Sequence, residues 1–359
     1  MLVRRTPHAV CYWQKDRFVV HNYFTGARVA ASAAAVDILD FCGRHRTHDA
    51  ICRRFTNYTP QSVRRVVADL VGQSLLERTD RRPTSAHRAM SEWDGWNPAA
   101  GFFHFTTKDV NYPADLETAA RSFRERGPST PMPSSVKEYR GAQRVAIPAV
   151  HSTGEFPGVL LQRRTWRRFS PLGVHVSDLA TALQLTWGVQ HRATVAGQGD
   201  VVLKTSPSGG ARHPGEVYVL ALKVRGLDRG LYHYASHRHE LELLTKGSSA
   251  RQVARYLPGQ GWYRGAPALL LMTAVFPREQ WRYQFARAYR AVLIEAGHLC
   301  QTFCLAATWL GLAPFCSMAF ADSLIERDLG IDGVKESMLY VAGVGARPAR
   351  TSRPWAPMR

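Results

Sequence analysis

Residues 268–275, Ala-Leu-Leu-Leu-Met-Thr-Ala-Val, constrain the fold more than any other stretch of this chain. The run is as long as a strand, almost wholly apolar, and shows no in–out alternation. Such a segment needs cover on both faces, as a central strand of a helix-covered sheet has. Leu339–Val344 reads the same way, and the apolar stretch between them predicts a long helix from about Ala286 to Leu310. Glu216–Val224 reads as a strand, and Leu231–Tyr234 and Glu240–Leu244 flank Ser236–His239 as a hairpin. Ser177 is positioned to cap a helix carrying Leu179, Leu183 and Trp187 on one side. Strands and helices alternate irregularly, so the fold class is α+β.

The 359 residues suggest about two domains and can bury a core without a disulfide or metal staple. Residues 1–80 form a small unit. Ala9–Gln14 and Arg17–Tyr23 predict a hairpin around Lys15–Asp16, and Phe24 to Arg28 a turn into a third short strand. Val36, Leu39 and Cys42 recur at helical spacing, as do Val63, Val66, Val67, Leu70 and Val71. Thr59 is the expected N-cap with Pro60 at the first helical position, Gly72 closes that helix, and Ser74–Glu77 leads into a wing-like strand. The element order is that of a winged helix. Residues 81–155 read as a connector, with Pro128, Pro131 and Pro133 among glycines and serines and an aromatic cluster at Gly101–Lys108. Residues 156–359 form the large domain.

Lys and Arg number 47 against 28 Asp and Glu, a net charge of +19. That balance suits phosphorylated ligands, acidic peptides or a solvated arginine-rich surface, and speaks to partners more than to fold. Nucleic-acid binding through Arg64 and Arg65 is disfavoured, because the same helix can face the large domain. The six cysteines form no CxxC pair, which excludes zinc-ribbon and thioredoxin motifs. The opening residues lack the apolar run of a signal peptide. The most apolar long stretch, Ala288–Ala313, contains Arg290, Glu295, His298 and Gln301, against a membrane span. The expectation is a cytoplasmic protein with free thiols and no metal.

Three stretches could carry chemistry. Arg163-Arg-Thr-Trp-Arg-Arg-Phe-Ser170 gathers four guanidinium groups and a hydroxyl, and planar donor forks fit phosphate oxygens. Lys204–Pro214 contains Ser208, Gly209 and Gly210, where missing side chains let a flat ligand approach the backbone. Arg282-Tyr283 sets a phenol beside a fixed positive charge, which favours the phenolate; arginine itself is no base. Glu295-Ala-Gly-His298 has di-iron spacing but occurs once, so iron is rejected. His233, His237 and His239 straddle a turn without a carboxylate or cysteine cluster. The chain has no P-loop, no nucleophile elbow and no dinucleotide fingerprint.

Taken in order, Arg163–Phe169, Pro207–Pro214, Gly230–Tyr234, Tyr283–Arg290, Glu295–Gln301, Leu310–Leu312 and Tyr340–Gly345 resemble the flavin-dependent nitroreductase superfamily. Within it they are similar to the SagB-type (ThcOx-like) azoline dehydrogenase branch, over about residues 160–347. The resemblance implies FMN. Arg163, Arg164, Thr165 and Arg167 would hold its phosphate, and Pro207, Ser208, Gly209, Gly210 and Ala211 would lie along its ring system. The segment from Pro314 would back the flavin N5 edge. A late arginine would close over the phosphate, with Arg347, Arg350 and Arg353 as candidates and Arg353 preferred. Such sites are usually built at a homodimer interface. The N-terminal unit resembles PqqD-like winged helices that recognise leader peptides, a fold that accepts a peptide by strand addition. One departure stands out: the branch carries Lys-Tyr at the catalytic step, and here the pair is Arg282-Tyr283. Tyr283 is then the implied proton acceptor, with Arg282 stabilising its phenolate.

The expected function is FMN-dependent oxidation of thiazoline or oxazoline rings to azoles in a ribosomally made peptide. The expected partners are an azoline-containing precursor peptide and a cyclodehydratase complex. The alternatives are an NAD(P)H-dependent nitro- or ene-reductase of small molecules and a non-catalytic peptide-binding subunit.

Overall fold

The structure, a computed structural model, describes residues 2–80, 84–112, 153–195 and 199–348, with isolated positions between 115 and 137. The proline-rich stretch 127–133 and the candidates Arg350 and Arg353 lie outside the described residues. The chain forms two compact units, Met1–Lys108 with Phe276–Ala291, and Asp109–Val275 with Val292–Arg359.

The first unit opens with β1 (Leu2–Arg5), β2 (Ala9–Gln14), β3 (Arg17–Asn22), β4 (Ala27–Ala30), α1 (Ala33–Phe41), β5 (Arg46–Thr47), α2 (His48–Arg54), α3 (Pro60–Gly72) and β6 (Leu76–Arg78). β2, β3 and β4 make one antiparallel sheet, and β5-β1-β6 a second. Lys15 takes the left-handed conformation in the tight turn between β2 and β3. Thr59 caps α3 through its hydroxyl, with Pro60 in the first turn, and Gly72 is the last helical residue. Val63, Val67 and Leu70 fall on one face of α3 and meet Val3, Ile38, Leu39 and Ile51 in a small core. The aromatic cluster is helical: α4 (Ser85–Met90) and α5 (Ala99–Thr106) carry Trp93 and Trp96 between them, packed against Phe276 and Tyr289.

The second unit contains α6 (Glu155–Gln162), β7 (Val174–His175), α7 (Val176–Trp187), β8 (Val189–Val195), β9 (Gly199–Lys204), β10 (Gly215–Ala221), β11 (Val224–Arg225), β12 (Gly230–Ala235), β13 (Glu240–Lys246), α8 (Ala250–Tyr256) and β14 (Ala268–Val275). The short α9 (Phe276–Gln280) belongs to the first unit. α10 (Ala288–Trp309), β15 (Leu312–Ser317), α11 (Asp322–Leu329) and β16 (Glu336–Ala346) complete the chain. Six strands form an antiparallel sheet in the order β13-β12-β10-β14-β16-β15. β14 lies inside it and is fully buried along all but its last residue, as its unbroken apolar run requires. One face of the sheet packs on α7 and α10 through Leu183, Trp187, Leu299 and Phe303, and the other on α8 and α11 through Tyr256 and Ile325.

Several local expectations change. His175, not Ser177, caps α7: its Nδ1 accepts from the Ser177 backbone N–H at 3.2 Å. The strand expected over 216–224 breaks after Ala221, where the N–H groups of Leu222 and Lys223 both bond Pro267 O. α10 is long and apolar enough by composition to cross a bilayer. Here Leu299, Cys300, Phe303, Cys304 and Ala307 turn its apolar face into the core.

Candidate active site

The arginine run begins where α6 ends. Arg163 is the half-buried residue that leaves the helix, and the Arg164 side chain bonds Leu161 O at 2.8 Å, satisfying a carbonyl that α6 leaves without a partner. The run is then laid along the sheet edge by Trp166 N to Pro314 O at 3.0 Å and Ser170 N to Ala346 O at 2.9 Å. Phe169 fills the space over Gly345, where a Cβ would stand 2.4 Å from its ring. Arg167 donates to the hydroxyl of Tyr263, whose ring stacks on Phe315 at 3.8 Å. Arg347 gives Nε to Leu312 O and Nη2 to Thr308 O, each at 2.9 Å. It thereby caps the C-terminal end of α10, where a cation is electrostatically favoured. Thr165 is half-buried, Pro314 fully buried, and Arg164 and Arg167 exposed.

The glycine segment is a single tight turn over Gly209–Ala211. Gly210, Ala211 and His213 all have left-handed backbone, with φ of 57°, 54° and 44°. That conformation costs roughly 1–2 kcal/mol at a residue with a Cβ, so surrounding bonds must impose it at Ala211 and His213. Those bonds are present. His213 N donates to Ser208 Oγ at 2.8 Å, Arg212 Nε to Gly210 O at 3.0 Å, and Ser206 shares a bond with Thr302 of α10 at 2.9 Å.

At the centre is Glu295 on α10, 4% exposed, whose carboxylate accepts from the Ser208 hydroxyl and the Gly215 N–H. Burial lifts its carboxyl above the usual range, and these two bonds with the charges of Lys204 and His298 draw it partly back. A Cβ at residue 215 would stand 2.6 Å from Leu299 Cδ1, so a larger residue there would push the Leu299 side chain aside. In the sequence Glu295 reads as half of a Glu-x-x-His pair within the helix. The structure buries Glu295 and leaves His298 exposed, acting on the carboxylate through its charge. The available signal was a lone acid in an apolar helix, which needs a partner elsewhere in the chain.

Within one chain the sheet register does not bring the anchors of the two segments together. Gly215 lies opposite Ala274, whereas Pro314 lies opposite Val344, level with Ala268 and Ala221. Those anchors are separated by three inter-strand steps, ~14 Å, and by six residues along the strands, ~20 Å.

Arg282 and Tyr283 belong to the first unit, just after α9. Both backbone N–H groups bond Glu279 O, at 3.2 and 3.0 Å, and Tyr283 O accepts from Trp96 Nε1 at 2.8 Å. The Arg282 guanidinium carbon stands 5.4 Å from the centroid of the Tyr283 ring, so the cation addresses the ring face. Tyr283 is half-buried and Arg282 exposed. Beside this segment is a cavity of about 410 Å³ lined by Glu92, Asp94, Trp96, Gln280, Trp281 and Gln284 among others.

The family profile described as "Nitroreductase family" matches residues 160–346, just over half of the chain. The chain belongs to the nitroreductase family. This nitroreductase is 31% identical over 189 residues to a protein of Methanocaldococcus jannaschii named as a nitroreductase, a match covering 53% of this chain and 89% of that one. It is 32% identical over 148 residues to the trifolitoxin-processing protein TfxB of Rhizobium leguminosarum bv. trifolii, and spans only 39% of that relative's length. Among solved structures, a chain of the E. coli microcin synthetase McbBCD complex with truncated pro-MccB17 shares the fold. The TM-score is 0.51 at 20% identity, over 72% of this chain and 97% of that one. Members of the family are generally FMN-dependent oxidoreductases, and the α+β architecture with its central antiparallel sheet agrees with that membership.

The donor set fits FMN. A guanidinium-rich run with the Thr165 hydroxyl suits a phosphate, and the turn with no side chains at Gly209 and Gly210 leaves its backbone open to a flat ring.

Proposed function

We propose that this nitroreductase is an FMN-dependent dehydrogenase that oxidises azoline rings to azoles in a ribosomally made peptide. The observation that carries the reading is the Glu295–Ser208–Gly215 clamp, which holds the strained turn around Gly209 and Gly210 on a nitroreductase-family chain. The relative that processes trifolitoxin and the fold shared with a microcin synthetase chain favour a peptide as substrate.

In this reading Arg163, Arg164, Thr165 and Arg167 bind the phosphate, Pro207–Ala211 lie along the ring system, and Pro314 backs it. The separation of the anchors within one chain favours a homodimer in which each copy supplies part of each site. Of the late arginines, Arg347 already holds helix-end carbonyls, which leaves Arg350 and Arg353, and we assign Arg353 to the phosphate. Bound FMN supplies a two-electron acceptor for the hydride that leaves one ring carbon. The proton of the neighbouring carbon goes to Tyr283 Oη as a phenolate, whose negative charge Arg282 stabilises until that proton neutralises it. Residues 1–80 act as a leader-peptide-binding winged helix, with β2 as an edge strand open to strand addition. A cyclodehydratase delivers the azoline.

The test is the mass of a cyclised peptide incubated with the purified, flavin-loaded protein. Loss of two hydrogens per ring is expected, and Tyr283→Phe should retain flavin while losing most ring oxidation. An unchanged peptide mass together with rapid flavin bleaching by NAD(P)H alone would replace this reading with a small-molecule reductase.

A further inference from the structure

Three cysteines far apart in pattern meet in the second unit. Cys300 and Cys304 are four residues apart on α10, which sets both sulfurs on one face. Cys316 projects from β15, opposite Ala342 of β16. The three Sγ atoms lie within 4.8 Å of one another. Cys300 and Cys304 are 3% and 4% exposed, and Cys316 is half-buried, so the cluster is dry on one side and reachable on the other.

We propose that Cys300, Cys304 and Cys316 form a zinc site. Geometry favours an ion over a crosslink. Tetrahedral zinc with Zn–S bonds of about 2.3 Å sets its sulfurs about 3.8 Å apart, within reach of small side-chain rotations from the observed spacing. A disulfide requires about 2.05 Å and a specific torsion, a much larger movement. The donor set is also right: three soft sulfurs, the ligand type zinc takes readily in proteins.

Charge selects a divalent ion. The Tyr340 hydroxyl stands 3.4 Å from the Cys316 sulfur and donates to it. Binding of Zn²⁺ forms three zinc–sulfur bonds, and each cysteine that enters as a thiol releases its proton to solvent. Three thiolates and Zn²⁺ sum to one negative charge. The Arg163 guanidinium, whose positive charge bears on both Cys304 and Cys316, balances it. A monovalent soft ion would leave one more negative charge in a largely buried site, which is costly. The fourth position is left to water or to Tyr340 Oη.

The experiment uses the full-length protein, reduced and stripped with a chelator, then titrated with Zn²⁺ against a chromophoric competitor. Expected are one Zn²⁺ per chain, release of protons on binding, and a thiolate-to-metal absorption band when Co²⁺ is used instead. Cys316→Ser and Cys304→Ala should each weaken binding by more than the ~10–100-fold that loss of an outer-shell partner costs. Cys11→Ser and Cys52→Ser, outside the cluster, should leave it unchanged. Circular dichroism separates loss of the site from loss of the fold, and Cys316→Ser, at a half-buried position, is the variant expected to stay folded. Failure of the reduced wild-type chain to compete for Zn²⁺ overturns the proposal. So does full Zn²⁺ affinity in folded Cys316→Ser, or a mass two units lower that shows a disulfide in the cluster. The readout is independent of flavin content and ring oxidation, so it stands or falls separately from the proposed function.

Discussion

Removing Glu295 tests whether one buried carboxylate holds the glycine turn in place. Glu295→Ala leaves two donors without their acceptor, the buried Gly215 N–H and the Ser208 hydroxyl. An unmet buried donor costs ~1–3 kcal/mol, and Ser208 can turn partly to solvent, so a loss of ~2 kcal/mol is expected. Glu295→Gln keeps an acceptor oxygen without the charge, and its behaviour should depend on pH. Burial places the folded-state carboxyl above its ordinary value of 4.5, so the folded chain holds this proton more tightly than the unfolded chain does. That contribution is complete below 4.5 and is lost as pH rises through the folded value, with a slope of at most ~1.4 kcal/mol per pH unit. Glutamine carries no such proton. Urea unfolding of both chains at a series of pH values from 4.5 to 7.5 measures this directly. The stability of wild type relative to Glu295→Gln should fall across that range and then level off. A constant difference would refute the buried-carboxylate argument, and Glu295→Ala of wild-type stability would refute the clamp.

Other perturbations address the rest of the second unit. Gly343→Ala sets a Cβ 2.3 Å from Phe315 Cζ and 3.1 Å from Ala268 O, beneath a ring already stacked on Tyr263. It should cost ~1–3 kcal/mol in chemical denaturation, the range for overpacking a core. His233 sits between Glu216 and Glu242 at 3.2 and 2.8 Å, and its hydrogen bond to Glu216, then that to Glu242, raises its imidazole above 6.5. Its contribution is full below pH 6.5 and is lost as pH rises through the folded value; His233→Gln should flatten stability over that window, as unfolding at pH 6 and 8.5 will show. Arg163→Ala with Arg167→Ala should strip most flavin, read as the absorbance ratio of the purified protein, and full retention would defeat the phosphate assignment.

Where a signal was local, the sequence could be read directly. The unbroken apolar run at 268–275 required a strand covered on both faces, and β14 is that strand. Thr59-Pro60 began α3, and the hairpins at 9–22 and 230–246 followed from alternation and turn residues. The misreadings share one cause, competition from a partner outside the local window. His175 displaced Ser177 as a cap because its Nδ1 reached the N–H that a helix start leaves open. β10 stopped at Ala221 because Pro267 O took two successive donors.

α10 carries this argument furthest, because its sequence signal is plain and its roles are not. By composition it is an apolar core helix, and its contacts with β10 and β14 agree. Yet several polar or soft atoms along it answer to residues remote in sequence. Glu295 answers to Ser208 and Gly215, Thr302 to Ser206, Cys300 and Cys304 to Cys316, and the Thr308 carbonyl to Arg347. A buried polar atom in an apolar helix survives only if the fold supplies its partner. Where the helix's own carbonyls did not serve, as they do for the Thr308 hydroxyl, such an atom implied a second segment without saying which, and the fold supplied it.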